Sequence, residues 1–122
     1  MFKNISKAQR ESFNEQELRK RDEILNLLNL NLALCLLKKN MPNDAIKCAQ
    51  EALLSEKVNP KAHYRMYLAY KSLNNLDKAE EHLKLAINCE PNDKSMRAEF
   101  KKFSEEKSAK EKLWYSKMAG FY

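Results

Sequence analysis

Asn40 to Leu53 reads NMPNDAIKCAQEAL, and Asn74 to Ile87 reads NNLDKAEEHLKLAI. The second stretch follows the first at an offset of 34 residues, Asn40 to Asn74. Ala45 recurs as Ala79 and Ala52 as Ala86, and upstream of them Leu34 recurs as Leu68. Leu32, Leu36, Asn43 and Leu53 are answered by Met66, Tyr70, Asp77 and Ile87. A fixed period of this length means that one supersecondary unit stacks on its copy and so buries an apolar face that neither buries alone. The expected architecture is all-α: helix–turn–helix units in a short solenoid.

Composition supports this reading. Gly120 is the one glycine in 122 residues. Sheets turning sharply and loops cradling phosphates need more, which removes dinucleotide and phosphate-loop folds from consideration. The net charge of +6 and a pI near 9.2 favour acidic partners. The lysines are interleaved with glutamate along every expected helix, the pattern of a solvated face, so nucleic acid is not the expected partner. Cys35, Cys48 and Cys89 share no metal-ligand spacing and read as reduced packing residues. No metal and no cofactor is implied. No apolar run approaches a membrane span, and Met1 to Lys20 lacks the apolar stretch of a signal peptide. The expected location is cytoplasmic or nuclear.

Four segments follow from the periodicity. Residues 1–21 read as the second helix of a preceding repeat followed by a polar linker. Residues 22–59 form one unit, with a helix over Asp22–Lys39 that is apolar on nearly every side and so expected to be packed on both flanks. Pro42 breaks that helix, and Asn43 is expected to cap a second one running to about Glu56. Residues 60–93 form the next unit, opened by Asn59-Pro60 as cap and first helical residue. Its second helix is expected over about Asp77–Asn88. Residues 94–122 are expected to form a long helix, running to about Met118, whose Met96, Phe100 and Phe103 cover the open end of the stack.

The repeat resembles the tetratricopeptide repeat (TPR), on alanines at repeat positions 20 and 27 of both copies and on Pro91 at position 32 of the second. His63 and Tyr67 depart from that pattern at positions 4 and 8, and Tyr70, at position 11, is expected in the core because that position packs within the unit. Within the family, three stretches are more particular: Leu30-Asn31-Leu32-Ala33-Leu34-Cys35, Asn59-Pro60-Lys61-Ala62-His63-Tyr64-Arg65 and Lys112-Leu113-Trp114-Tyr115-Ser116-Lys117-Met118. Together they resemble the C-terminal half of the large FKBP-type immunophilins, peptidyl-prolyl isomerases that dock on heat-shock chaperones. On this resemblance the isomerase domain and the first helix of the first repeat are expected upstream of Met1, and no isomerase activity is expected of these residues.

The resemblance also implies a binding chemistry. The first helix of each unit would line a concave groove, and its positions 2 and 6 share one face. In the second unit these are Lys61 and Arg65, and position 6 of the first is Asn31. They resemble members of the two-carboxylate clamp with which chaperone-binding relatives hold a tail ending in Glu-Glu-Val-Asp. The implied partner is a cytosolic heat-shock chaperone, the ninety-kilodalton class over the seventy. A planar guanidinium meets a carboxylate bidentately, a lysine adds a compact charge, and an asparagine amide donates without adding another cation. Tyr64, Leu68 and Lys71 are expected to flank the groove. Trp114, in a basic helix end, is the candidate anchor for calmodulin. His63 and His82 fall at positions explained by packing or solvent, no catalytic set is visible, and no enzymatic activity is expected. Two alternatives stay open: a generic scaffold for an unrelated protein, and a fragment that completes its first repeat by self-association.

Overall fold

The computed structural model describes residues 14–120. Five helices follow in order: α1 (Glu15–Lys38), α2 (Pro42–Ser55), α3 (Pro60–Ser72), α4 (Leu76–Cys89) and α5 (Lys94–Met118). No strand occurs among the described residues. Helices α1 and α2 form one antiparallel unit and α3 and α4 the next, α2 packs on α3, and α5 closes the stack against α4. None of the helices is long and apolar enough to cross a membrane.

Small residues set the spacing. Ala45, Ala49 and Ala52 of α2, Ala62 and Ala69 of α3, and Ala79 and Ala86 of α4 are all buried. Side chains of one carbon let helix axes approach to the short end of roughly 8–10 Å. Leu30, Ile46 and Met66 fill the seam between the two units, while Tyr67, Leu83 and Phe103 fill the seam with α5. Burying each of these larger side chains contributes roughly 1.5–3 kcal/mol.

The turn inside each unit is the same in both copies. Asn40 and Asn74 adopt left-handed backbone, with φ of 61° and 60°. Met41 N–H donates to the Leu36 carbonyl and Asn40 N–H to that of Leu37, and Asn75 and Asn74 do the same to Tyr70 and Lys71. These paired bonds define a Schellman motif, where asparagine is tolerated because its short polar side chain lowers the cost of positive φ.

Four of the five helix starts carry a side-chain cap: Asn14, Asn59, Asn75 and Asp93 accept from the backbone N–H three residues on. The exception corrects an expectation. Asn43 lies inside α2, which begins at Pro42 after Met41 with no side-chain cap bond. Proline at the first helical position has no N–H to satisfy there.

Three further expectations change. Helix α1 begins at Glu15, not Asp22, so Glu15–Arg21 is helical where a linker was expected; residues 1–13 lie outside those described. Its first two turns are exposed and rich in Glu, Gln, Arg and Lys, strong helix formers that need no packing partner. Packing on both flanks of α1 is not seen either: Ile24, Leu27 and Leu28 are exposed, because α2 and α3 meet only one side of the helix. Tyr70, expected in the core, is half-buried at the junction of the two apolar clusters and stacks on His82 of the same unit.

Helix α5 covers the end of the stack through buried Met96 and Phe103 and half-buried Phe100. Phe103 meets Tyr67 edge-on at 5.5 Å between ring centroids. Beyond Phe103 polar contacts continue the docking: Lys107 pairs with Asp77 at 3.0 Å and Glu80 at 3.3 Å, and Lys110 donates to Asn74 at 3.4 Å. Leu113, Trp114, Tyr115 and Met118 are exposed.

Candidate peptide-carboxylate site

Asn59 and Pro60 fix the start of α3, and the next turn presents Lys61, Tyr64 and Arg65 to a cavity of about 320 Å³. The turn between α4 and α5 supplies the opposite wall, with Glu90, Asp93, Ser95 and Met96. Lys61 is exposed and makes no hydrogen bond or ion pair to a described residue. Arg65 is half-buried and donates from Nε to the main-chain carbonyl of Leu30 at 2.9 Å. Its two terminal nitrogens have no protein carboxylate among the described residues. Burial lowers the Arg65 pKa, a direction that rewards an incoming anion.

Tyr64 lies between the two cations in sequence and lines the cavity with them. Burial first, then the charges of Glu99 and Asp93, raise its pKa, so its hydroxyl stays a neutral donor and acceptor at physiological pH. The arrangement therefore offers two positive groups and a phenol on one side of an open cleft.

The other expected residues distribute differently. Asn31 is exposed on α1 and is not part of the cavity wall; its neighbour Leu30 is the one bonded to Arg65. Leu68 packs against the Tyr67–Leu83–Phe103 cluster. Lys71 is held within the fold by Glu99 and Glu106, at 3.7 Å each, and lies 5.8 Å from the centroid of the Tyr67 ring. It is therefore not a free groove cation. Trp114 is 56% exposed at the far end of α5 and meets Tyr115 edge-on at 5.1 Å.

Sequence reasoning missed the acidic wall. The period held a signal for one residue of that wall: carried one unit further, position 2 becomes Ser95, while position 6 becomes Glu99, which does not line the cavity. Position 6 thus changes from neutral Asn31 through cationic Arg65 to anionic Glu99 along the stack. Glu99 accepts from the buried Tyr67 hydroxyl at 2.6 Å and pairs with Lys71, which places it in a structural network.

No family model matches the chain. A peptidyl-prolyl cis-trans isomerase of Arabidopsis thaliana, FKBP42, is 32% identical over 99 residues, which are 81% of this chain and 26% of that protein. The chain thus spans about a quarter of that relative. Among solved structures, the C-terminal TPR-containing domain of a Plasmodium falciparum FK506-binding protein superposes with a TM-score of 0.71 at 30% identity, covering 84% of this chain and 68% of that one. The first TPR domain of human RPAP3 gives 0.66 at 23% identity, covering 71% and 68%. The first TPR domain of Spaghetti (RPAP3) bound to the HSP90 peptide SRMEEVD gives 0.63 at 22%, covering 68% and 66%. These last two share the fold. At 30% identity over 84% of its length to the TPR-containing domain of an FK506-binding protein, and 32% identity to FKBP42, the chain belongs to the TPR domains of FKBP-type proteins.

Proposed function

We propose that this chain is a cytosolic docking module that binds the acidic C-terminal tail of a heat-shock chaperone, a tail ending in Glu-Glu-Val-Asp. Lys61 and Arg65 take the terminal α-carboxylate and the side chain of the last aspartate. The observation that carries this reading is the pair itself. Two cations stand one turn apart on α3, neither in an ion pair with a described residue, and open on the same cavity. Two unpaired cations on one wall of a cleft suit an anion from outside. The RPAP3 domain, of the same fold, is described as binding an HSP90 peptide with that ending. Charge-assisted bonds of this kind contribute roughly 1.5–3 kcal/mol each, so two or three bring a short peptide to micromolar affinity after ordering costs.

The test is titration of a fluorescent Met-Glu-Glu-Val-Asp peptide beside the same peptide with an amidated C-terminus. Binding of the free acid alone, lost in the Lys61→Ala/Arg65→Ala double variant, is the expected result. Equal affinity for acid and amide would refute the reading and leave a scaffold for another partner.

One observation favours self-association as a second reading. Leu28 and Cys35 stand one period before Ala62 and Ala69. Ala62 is fully buried against the preceding unit, whereas Leu28 is 48% exposed, and Cys35 is exposed where Ala69 is buried. Among the described residues, no element packs on Leu28 and Cys35 as the preceding unit packs on Ala62 and Ala69. Sedimentation across a hundredfold range of concentration decides this reading; a constant monomer mass rules it out.

A further inference from the structure

The cavity that holds Lys61 and Arg65 is lined by side chains of both charges. Glu90 closes α4 through its backbone N–H, and its exposed side chain has no hydrogen bond or ion pair to a described residue. Asp93 accepts the Met96 N–H at 3.0 Å through Oδ1 as the cap of α5, and its second oxygen has no such partner. Pro60, buried Met96 and the Tyr64 ring supply apolar surface in the same cavity. The field of the acidic side is felt within the site, since Asp93 is among the charges that push the Tyr64 phenol up.

Glu90 and Asp93 are therefore a poor surface for a uniformly acidic ligand. Any glutamate placed near them meets like charge, and a cation placed there finds two carboxylates. The cleft lies at the small end of ligand-sized pockets, which run from roughly 300 to 1,000 Å³. A cleft of this size brings both sets of charges within reach of neighbouring residues of one ligand.

We propose that this pocket selects C-terminal tails in which a basic residue stands among the last few positions, its cation at Glu90 and Asp93 while the terminal carboxylate is at Lys61 and Arg65. The inference rests on the docking function above and adds a selectivity to it. It makes Glu90 and Asp93 specificity-determining residues that weaken, without abolishing, the binding of tails with an unbroken acidic ending and favour mixed-charge ones.

The test compares peptides derived from Met-Glu-Glu-Val-Asp in which each residue before the terminal aspartate is changed singly to lysine or to alanine. Each is titrated against the full chain and against a Glu90→Gln/Asp93→Asn double variant. Asparagine keeps the acceptor that caps α5, so the fold is retained, and circular dichroism verifies it. At one position lysine is expected to bind about fivefold or more tighter than alanine, and the variant should abolish that advantage. The all-acidic parent should bind the variant about twofold or more tighter than the native chain. Failure of lysine to outbind alanine at any position, or an advantage that survives neutralisation of Glu90 and Asp93, overturns the selectivity alone. If the amidated parent binds as well as its free acid, the docking function itself falls, and the selectivity with it.

Discussion

Arg65 Nε lies 2.9 Å from the main-chain oxygen of Leu30, a bond that ties the candidate anion-binding side chain of α3 to the middle of α1. One nitrogen of the guanidinium is thereby used to hold the side chain, and the two terminal nitrogens remain for a ligand. A lysine cannot divide its single ammonium between these tasks. Arg65→Lys is expected to weaken binding of a free-acid tail peptide by about tenfold, or ~1.4 kcal/mol. Loss of the bond to Leu30 should cost about 1 kcal/mol of stability, seen as a fall of roughly 4 °C in Tm. Unchanged affinity by fluorescence titration would remove Arg65 from the site.

Lys61 should behave differently, because nothing in the fold depends on it. It is exposed and unbonded among the described residues. Lys61→Ala is expected to leave Tm within about 2 °C of the native chain, as surface changes away from structural features do. Peptide affinity should fall, and its dependence on salt should flatten, since a solvent-facing charge acts through a screened field. A titration at low and high salt, run beside a melt, reads both.

The parts of the molecule legible in the sequence are those fixed by local chemistry. Asn40 and Asn74 recur because one turn geometry with positive φ is used twice, and the period exposes it without a structure. Lys61 and Arg65 were legible as a pair because residues four apart share a helix face whatever the tertiary arrangement. What was not legible depended on contacts distant in the chain. Lys71 looked like a groove cation until α5 brought Glu99 and Glu106 beside it. Glu90 and Asp93 read only as turn residues until that turn faced α3. The start of α1 was missed for another reason: a solvated helix of Glu, Lys and Arg leaves no apolar period to read.

Tyr67 offers a test of how α5 is held. Its ring is fully buried and its hydroxyl donates to Glu99 at 2.6 Å. Burial, followed by that bond and the nearby charge, keeps the phenol far above its ordinary pKa. Tyr67→Phe keeps the edge-on contact with Phe103 and removes only the bond. Because Glu99 retains Lys71 and some solvent, the expected loss is about 1–2 kcal/mol, near the low end for a bond to a charged group. Urea denaturation should show a lower midpoint with an unchanged slope. A native midpoint would mean that water replaces the hydroxyl without cost.

Lys107 is the polar clasp of the same helix, joined to Asp77 and Glu80 of α4. These partners raise its pKa, so the lysine's contribution is present at neutral pH and is lost as pH rises through its raised value, while the lowered pKa of Glu80 places the loss of its own contribution on the acid side. Lys107→Met should cost no more than about 1 kcal/mol globally, as an ion pair with an exposed partner. Its effect should be local. Amide exchange around residues 104–112 is expected to accelerate relative to residues 94–103, which Met96 and Phe103 still anchor. Uniform acceleration along α5 would show instead that the helix docks as one piece.

His63 and His82 link α3 to α4 through their Nδ1 atoms, 3.2 Å apart. The rings lie within 23° of parallel, with centroids 5.5 Å apart, so one neutral imidazole donates and the other accepts. Tyr70 stacks on His82 from α3, and Lys78 and Glu81 on α4 act on it with opposite signs. Burial lowers both histidine pKa values from 6.5, with His63 adding to the effect at His82. The unfolded chain therefore binds more protons than the folded one at pH values below about 6.5, and stability falls as pH falls through that window. The melting temperature at pH 5.5 is expected to be about 3 °C or more below that at pH 7.5. In a His63→Gln variant an amide keeps a hydrogen-bonding group on the His82 nitrogen but cannot charge, so the pH dependence should shrink by roughly half. Calorimetry on both chains over that range decides it: a native profile flat from pH 7.5 to 5.5 would mean that the pair accepts a proton without opening the interface.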